Sequence, residues 1–170
     1  MNDMILKTVG NVRNDTKEPS LVARSGDLDW RDEYRESSHH GGIISEIVID
    51  PDYAGILDGI EDFSHLLVLY WAHRVNPEGR ALTQAHPMGR KDLPLVGIFA
   101  TCSPARPNPI CVIAVRLLER EGYILRVEGL DAVDGSPILD IKPYLPTYYS
   151  IKEAQLSPWM NQIIEGTGGR

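Results

Sequence analysis

The sequence lacks the features that mark secreted and membrane proteins. Only two of its 170 residues are cysteines, Cys102 and Cys111, and they are not spaced like a zinc site or a thioredoxin-type motif. No apolar run approaches the roughly 20 residues that cross a bilayer. The start, MNDMILKTVGNVRND, has no basic region followed by an apolar core. We therefore expect a cytoplasmic protein without structural disulfides, membrane segment or secretory signal.

The sequence also lacks the common nucleotide and metal fingerprints. It contains no GxGxxG after a strand, no Walker A, no GxSxG and no HExxH. A nucleotide cofactor would therefore be held in some other way. The pair His39-His40 lies in a polar stretch without acidic or cysteine companions at a useful spacing, so we predict no metal site.

Positive charge is scarce but concentrated in one segment. The chain carries a net charge of -7, which alone argues against nucleic-acid binding. The segment from Tyr70 to Arg116, however, contains six cationic and two anionic residues. Its net charge is therefore +4, and the rest of the chain carries a net charge of -11. This segment suits a local anion site or a small RNA footprint, and a chance cluster on a solvated face is the alternative.

Strand patterns dominate the chain, and no repeat or linker divides it. Predicted strands are Ile5–Val12, Ile43–Asp50, Phe63–His73, Leu95–Thr101, Ile110–Glu119, Tyr123–Leu130 and Ile138–Ile141. We interpret residues 13–42 and 74–93 as long loops, and the Ser-Pro start of Ser157–Glu165 predicts a terminal helix. Without a βαβ alternation, the pattern predicts a mostly β, single-domain small barrel of largely antiparallel strands with a few short helices, not a Rossmann fold.

Three stretches carry a family resemblance. EDFSHLLVLYWAH (Glu61–His73), GIFATCSPARPNPI (Gly97–Ile110) and LDAVDGSPILDIKPYLP (Leu130–Pro146) together resemble the TrmO family, also called YaeB-like or TsaA-like proteins. The similarity covers about Ile5 to Pro146. We accordingly divide the chain into a barrel domain at residues 1–146 and a tail with a short helix at residues 147–170.

The resemblance implies a function and its partners. Members of the family use S-adenosylmethionine to methylate N6 of threonylcarbamoyladenosine at tRNA position 37, in the anticodon loop. It also implies a homodimer. Methyl transfer from a sulfonium needs no metal. Two alternatives stay open: a methyltransferase of the same fold that acts on a small molecule, and a non-catalytic S-adenosylmethionine-binding module.

The same resemblance implies a set of cofactor-binding residues. Arg24 lies where the family tends to have Pro-Arg-Gln, and a guanidinium there would hold the cofactor carboxylate. His73 falls at a cofactor contact of the family, although a histidine at a strand end is often only a structural hydrogen-bonding group. Other implied contacts are Ala23, Ser25, Ala72 and Val112.

The proline-rich stretch Arg106-Pro107-Asn108-Pro109 is the stiffest part of the chain. A rigid backbone loses little entropy when a ligand binds, so Arg106 is a candidate for a phosphate or cofactor contact. An asparagine side chain donates and accepts hydrogen bonds, which makes Asn108 the candidate catalytic residue. A purely structural corner between two strands is the alternative.

Cys102 departs from the family pattern, which usually has an arginine cofactor contact there. Arg90 and Lys91 are candidate substitutes for the missing charge. The last implied contacts follow a turn at Asp134–Pro137, in the stretch Asp140, Ile141, Lys142 and Pro143. Asp140 would bind the ribose hydroxyls or the amino group and Lys142 the carboxylate, unless the two form an internal ion pair.

Overall fold

The computed structural model describes residues 4–31, 42–53 and 55–166. Its strands, in chain order, are β1 (Gly10–Arg13), β2 (Leu21–Arg24), β3 (Asp27–Trp30), β4 (Ile44–Ile49), β5 (His65–Trp71), β6 (Gln84–Ala85), β7 (Val96–Gly97), β8 (Ile110–Glu121), β9 (Ile124–Glu128) and β10 (Pro137–Pro143). Its α-helices are α1 (Pro77–Ala81), α2 (Pro146–Tyr149) and α3 (Pro158–Gly166). Short 3-10 turns cover 60–62, 87–89 and 98–100.

Six of these strands close into an antiparallel barrel in the order β1-β10-β5-β8-β9-β4. Alternate residues of each strand point inward, so that Leu66, Val68 and Tyr70 of β5 fill the interior while the residues between them face outward. They pack with inward residues of the other strands, among them Val115 and Leu125. The predicted fold class, a small mostly β barrel that is not a Rossmann fold, is confirmed.

A smaller unit caps one end of the barrel. The β2–β3 hairpin, α1 and the β6–β7 pair enclose their own buried cluster: Ala23, Leu28, Leu82, Ala85, Ile98 and Ala105. The hairpin turns at Ser25 and Gly26, both with positive φ (53° and 77°), as a two-residue hairpin turn requires. The cap lies in segments that the sequence predicted to be loops, so that prediction is wrong for residues 21–30 and 77–81.

Two other strand predictions need correction. Only the end of Ile5–Val12 is a strand, since β1 begins at Gly10. Leu95–Thr101 contains a two-residue strand followed by a 3-10 turn, because the side chain of Ile98 is buried in the cap cluster rather than on a barrel face. The terminal helix is confirmed: α3 begins with Pro158, and the Ser157 hydroxyl accepts a hydrogen bond from the Met160 backbone at 3.4 Å.

The described part of the chain contains no helix that is long and apolar enough to span a membrane. Cys102 and Cys111 are both free thiols.

Candidate functional site

A cleft of about 1010 Å³ lies where the cap meets the end of the barrel. Strand register explains its position: the end of β5 pairs with the start of β8 and the start of β10, so the loops at this end converge. The cap side is lined by hairpin residues that include Ala23, Leu28 and Trp30. The lining is mostly apolar with a few converging polar groups, which is the usual character of a ligand site.

Tyr70 belongs to the barrel core and also lines the cleft. Its side chain is buried, and its hydroxyl donates a hydrogen bond to Oδ1 of Asp131 at 2.7 Å. Burial and the Asp131 carboxylate raise the pKa of Tyr70 far above its usual value. The phenol therefore stays protonated and remains a donor to Asp131.

His73 lies on the same wall, just beyond the end of β5. Its Nδ1 and the hydroxyl of the buried Ser136 share a hydrogen bond of 3.2 Å. Burial and the neighbouring Arg74 lower the pKa of His73, so the neutral imidazole is favoured at pH 7. A neutral ring held at one nitrogen presents the other to a ligand.

The proline-rich segment forms a third wall of the cleft, and its Arg106 side chain hydrogen-bonds to nearby backbone carbonyls of the same segment. Arg106 donates from Nε to the carbonyl of Ser103 (2.7 Å) and from Nη2 to the carbonyl of Thr101 (2.5 Å). These carbonyls flank Cys102, so the guanidinium lies beside the position where the family pattern has its arginine. Arg106, rather than Arg90 or Lys91, therefore brings positive charge to this wall.

Arg90 and Lys91 are engaged elsewhere. Arg90 pairs with Asp92, and Lys91 pairs with Asp27. Arg116, at the end of the basic segment, lies 3.7 Å from Glu128. Much of the basic segment is thus neutralised locally.

Asp27 ties the hairpin to the 86–91 loop. Its side chain is 12% exposed, and its Oδ1 accepts hydrogen bonds from the backbone of Leu28 (2.7 Å) and His86 (2.9 Å). Its Oδ2 accepts from Lys91 and from His86 Nδ1 (2.6 Å). Burial alone would raise the pKa of Asp27, but these donors more than offset it and hold the pKa well below its usual range.

The cap side of the cleft is fixed by two further contacts. The Asn76 side chain caps α1 at the Gly79 backbone (2.7 Å) and donates to the Ala23 carbonyl (3.3 Å). Glu78 accepts from the Gly26 backbone at 2.8 Å. The hairpin turn is therefore attached directly to α1.

The cleft brings together about half of the residues predicted from sequence. Lining it are Ala23, Ala72, His73, Cys102, Arg106 and Val112. Arg24 is exposed at the end of β2, next to Ser25 in the hairpin turn, and neither lines the cleft of the described chain. Their assignment as cofactor contacts stays a prediction.

Asn108 and the β10 residues are not among the described residues that line this cleft, although Asn108 lies in the chain between the lining residues Arg106 and Ile110. Asn108 is exposed on the loop before β8, and its carbonyl accepts from the Ile110 backbone at 2.7 Å. Asp140 and Lys142 form an ion pair of 2.5 Å with each other; the pairing matches the alternative that the sequence left open, but both side chains are about half exposed, so the pair is not internal. With Ile141 and Pro143, they belong to a strand that contributes no lining to the cleft of the described chain. Their predicted roles stay predictions.

Sequence reasoning missed three contributors to the cleft. Tyr70 sits inside an apolar run, and Asp131 stands between the buried residues Leu130 and Ala132. That alternation was the available signal, because it turns Asp131 away from the core. The third contributor is α3, which lines the cleft with Trp159, Met160 and Ile163.

The donor set fits a nucleoside carrying a charged amino acid group. Apolar side chains offer contact area for a purine, while Asp131, His73 and Arg106 supply a carboxylate, an imidazole and a guanidinium. The described residues include no group of three or more His, Cys, Asp or Glu side chains placed to hold a metal ion. His39 and His40 lie outside those residues.

Comparisons with known proteins agree with this fold. The tRNA-methyltransferase O N-terminal domain family matches residues 31–150. A Methanothermobacter thermautotrophicus protein named "Probable S-adenosyl-L-methionine-binding protein" is 51% identical over 146 residues, which cover 85% of this chain and 93% of that protein. An Escherichia coli protein named "tRNA (adenine(37)-N6)-methyltransferase" is 33% identical over 161 residues, covering 92% of this chain and 64% of the relative.

A solved structure has a similar fold. The crystal structure of TrmO from Pseudomonas aeruginosa superposes with a TM-score of 0.64 at 25% identity, covering 91% of this chain and 61% of that one. Several curated relatives are longer, so that the chain spans between a third and two thirds of their length. The sequence matches and the barrel together show that this chain belongs to the tRNA-methyltransferase O N-terminal domain family.

Proposed function

We propose that this chain transfers the methyl group of S-adenosylmethionine to N6 of adenine 37 in tRNA, with threonylcarbamoyladenosine as the substrate base. The observation that carries the proposal is the cleft between cap and barrel. Ligand pockets span about 300–1,000 Å³, and this cleft, at about 1010 Å³, reaches the top of that range. A cleft of this size and mostly apolar lining suits a nucleoside-sized ligand such as S-adenosylmethionine. Relatives of the chain are named for both ligands.

The chain's own residues have three roles in this reaction. S-adenosylmethionine, when bound, supplies an activated methyl group, so the protein mainly positions the reactants and excludes water. The apolar hairpin wall, including Leu28 and Trp30, packs against a purine ring. Arg106 offers guanidinium donors to the carboxylate of the methyl donor. The neutral His73 offers a hydrogen bond without adding repulsion to a sulfonium.

Deletion of the coding sequence tests the proposal directly. Nucleosides from tRNA of the deletion strain are analysed by mass spectrometry, and we expect the methyl mark at adenosine 37 to disappear and to return with the wild-type gene. In vitro, the purified chain receives labelled S-adenosylmethionine and tRNA with or without the threonylcarbamoyl group. Persistence of the mark in the deletion strain would contradict the proposal.

A second function is favoured by one observation. The Methanothermobacter relative, which the chain spans almost completely, is named only for binding S-adenosylmethionine. A binding module without catalysis would bind the cofactor with the same affinity in the presence and absence of tRNA and would transfer no methyl group. Calorimetry with and without tRNA separates this function from the enzyme.

Asn108 provides a first mutational prediction for the enzyme. An asparagine side chain can hydrogen-bond the exocyclic nitrogen and localise its electron pair. We expect Asn108→Ala to bind S-adenosylmethionine as the wild type does but to transfer methyl about tenfold more slowly, because roughly one hydrogen bond is lost. Calorimetry and single-turnover assays measure the two quantities. Normal turnover in Asn108→Ala would remove the residue from the mechanism.

The proposal also includes a homodimer in the cytoplasm. The outer face of the barrel carries a row of apolar side chains on paired strands: the half-buried Leu69 lies opposite the exposed Val112, and the half-buried Leu67 lies opposite Ala114. Val112 is 59% exposed, and burial of this row against a second copy would remove it from water. Sedimentation of the 19.0 kDa chain at about twice its mass would support the dimer, and sedimentation at its own mass would contradict it. Free thiols stay reduced in the cytoplasm, where tRNA is found.

A further inference from the structure

Asp131 combines three features that the proposed function has not used. It lines the cleft, it has no cationic partner among the described residues, and one of its two oxygens is already held. The buried Tyr70 hydroxyl occupies Oδ1 at 2.7 Å, whereas no protein donor reaches Oδ2 in the described part of the chain. The carboxylate is thus oriented by the protein at Oδ1, and no described residue occupies Oδ2.

The backbone around Asp131 fixes its direction. Leu130 and Ala132 are almost fully buried in the barrel core, so the side chain between them must face the opposite way. The segment is anchored before it, where the Gly129 backbone donates to the Ile43 carbonyl at 2.9 Å. A carboxylate on such a support loses little freedom when it meets a substrate.

Methylation of an N–H nitrogen requires a proton acceptor. The N6 nitrogen of an adenosine, with or without a carbamoyl group, has a delocalised electron pair and carries a proton that the product lacks. A carboxylate that accepts a hydrogen bond from this N–H increases the electron density on nitrogen and receives the proton as the new bond forms. Asp131 lines the cleft and is held at Oδ1 by Tyr70, so it is oriented for this purpose.

We propose that Asp131 is the catalytic proton acceptor of the cleft, with Tyr70 as its positioning residue; this inference rests on the proposed function. The substrate nitrogen forms a bond to the methyl carbon while the carbon–sulfur bond breaks and leaves its electron pair on sulfur. The nitrogen's proton passes to Oδ2 of Asp131 and then to water. The sulfonium charge is neutralised and one proton is released, so atoms and charge balance.

Asp131→Asn is the sharpest test, because asparagine keeps the shape and still accepts from Tyr70 but presents an N–H₂ group where Oδ2 stood. We expect single-turnover methyl transfer to fall about 100-fold or more, in line with loss of a general base. The dissociation constant for S-adenosylmethionine should stay within about threefold and the melting temperature should be unchanged, since the Tyr70 contact persists. Asp58→Asn, the same change at an exposed surface pair with Arg120, serves as the control and should behave as wild type.

A binding measurement provides a readout independent of turnover. The wild type should bind tRNA with an N6–H about tenfold more tightly than the N6-methylated product, because a charged acceptor loses its donor. Asp131→Asn should bind the two tRNAs almost equally. Tyr70→Phe should slow transfer about fivefold in the wild type, but less than twofold when added to Asp131→Asn, because its effect acts through Asp131.

The outcomes separate this proposal from the proposed function. A wild type that binds S-adenosylmethionine but methylates no tRNA overturns the proposed function and the assignment of Asp131 with it. An active wild type with an equally active Asp131→Asn overturns the assignment alone. If Asp131→Asn lost affinity for the cofactor to the same extent as it lost activity, Asp131 would be a cofactor-binding residue, and its assignment as proton acceptor would be overturned.

Discussion

Gly10→Ala should destabilise the whole barrel, lowering the free energy of unfolding by about 3 kcal/mol. Gly10 begins β1, the strand that closes the barrel, and it lies opposite both Ile138 of β10 and Ile49 of β4. A Cβ atom there would overlap the Val48 carbonyl oxygen and lie 2.9 Å from the Ile49 Cα. Both are backbone atoms that cannot rotate away, so β1 and β4 must move apart.

Thermal and urea unfolding measure this effect. For a chain of this size, each kcal/mol corresponds to roughly 2–4 °C, so we expect the melting temperature to fall by roughly 10 °C. Gly97→Ala is the matched control, because a Cβ at Gly97 meets nothing within 4 Å and its φ of -58° suits alanine. Equal stability of the two variants would show that β1 and β4 are not paired at Gly10 in solution.

The barrel could be predicted from sequence because its strands alternate in the way that a half-buried sheet requires. Ile43–Asp50 shows this alternation, whereas Phe63–His73 is a nearly continuous apolar run with polar ends, as expected for a central strand; β4 and β5 lie within these bounds. The cap could not be predicted because its strands contain polar residues at buried positions and so lack a clear strand pattern. The β3 strand reads Asp-Leu-Asp-Trp, and its first aspartate is buried by donors from residues 86–91, far away in sequence.

Residue type and local sequence were enough to name some residues of the cleft. They were not enough where a residue's place in the cleft depends on contacts with distant parts of the chain. His73, Arg106 and Ala23, all named as candidates from the sequence, line the cleft, and their roles as cofactor contacts stay predictions. Asp131 depends on a hydrogen bond from Tyr70, 61 residues away, which no local pattern shows. The sequence cannot tell whether Asp140 and Lys142 contact a ligand or pair with each other, because both roles require the same charged residues; the structure shows the ion pair.

Asp27→Asn should loosen the cap and thereby the cleft. Asparagine keeps the size of the side chain but places an uncharged N–H₂ group against donors from Lys91 and His86, so that both lose their carboxylate acceptor. Loss of these charge-assisted hydrogen bonds should lower the free energy of unfolding by about 3 kcal/mol. Because the hairpin lines the cleft through Leu28 and Trp30, we also expect the affinity for S-adenosylmethionine to fall about tenfold.

The pH dependence of this effect distinguishes the carboxylate from simple packing. The folded state holds the pKa of Asp27 below its usual value, so the stabilisation is fully present above the unfolded value of about 3.9 and is lost as the pH falls below it. The difference in unfolding free energy between wild type and Asp27→Asn should therefore be constant from about pH 5 to 8 and should shrink below about pH 4. Asp92→Asn, which breaks an exposed pair with Arg90, should leave the stability almost unchanged, because water screens such pairs. An Asp27→Asn defect that persists unchanged in acid would mean that shape, rather than charge, holds the hairpin against the loop.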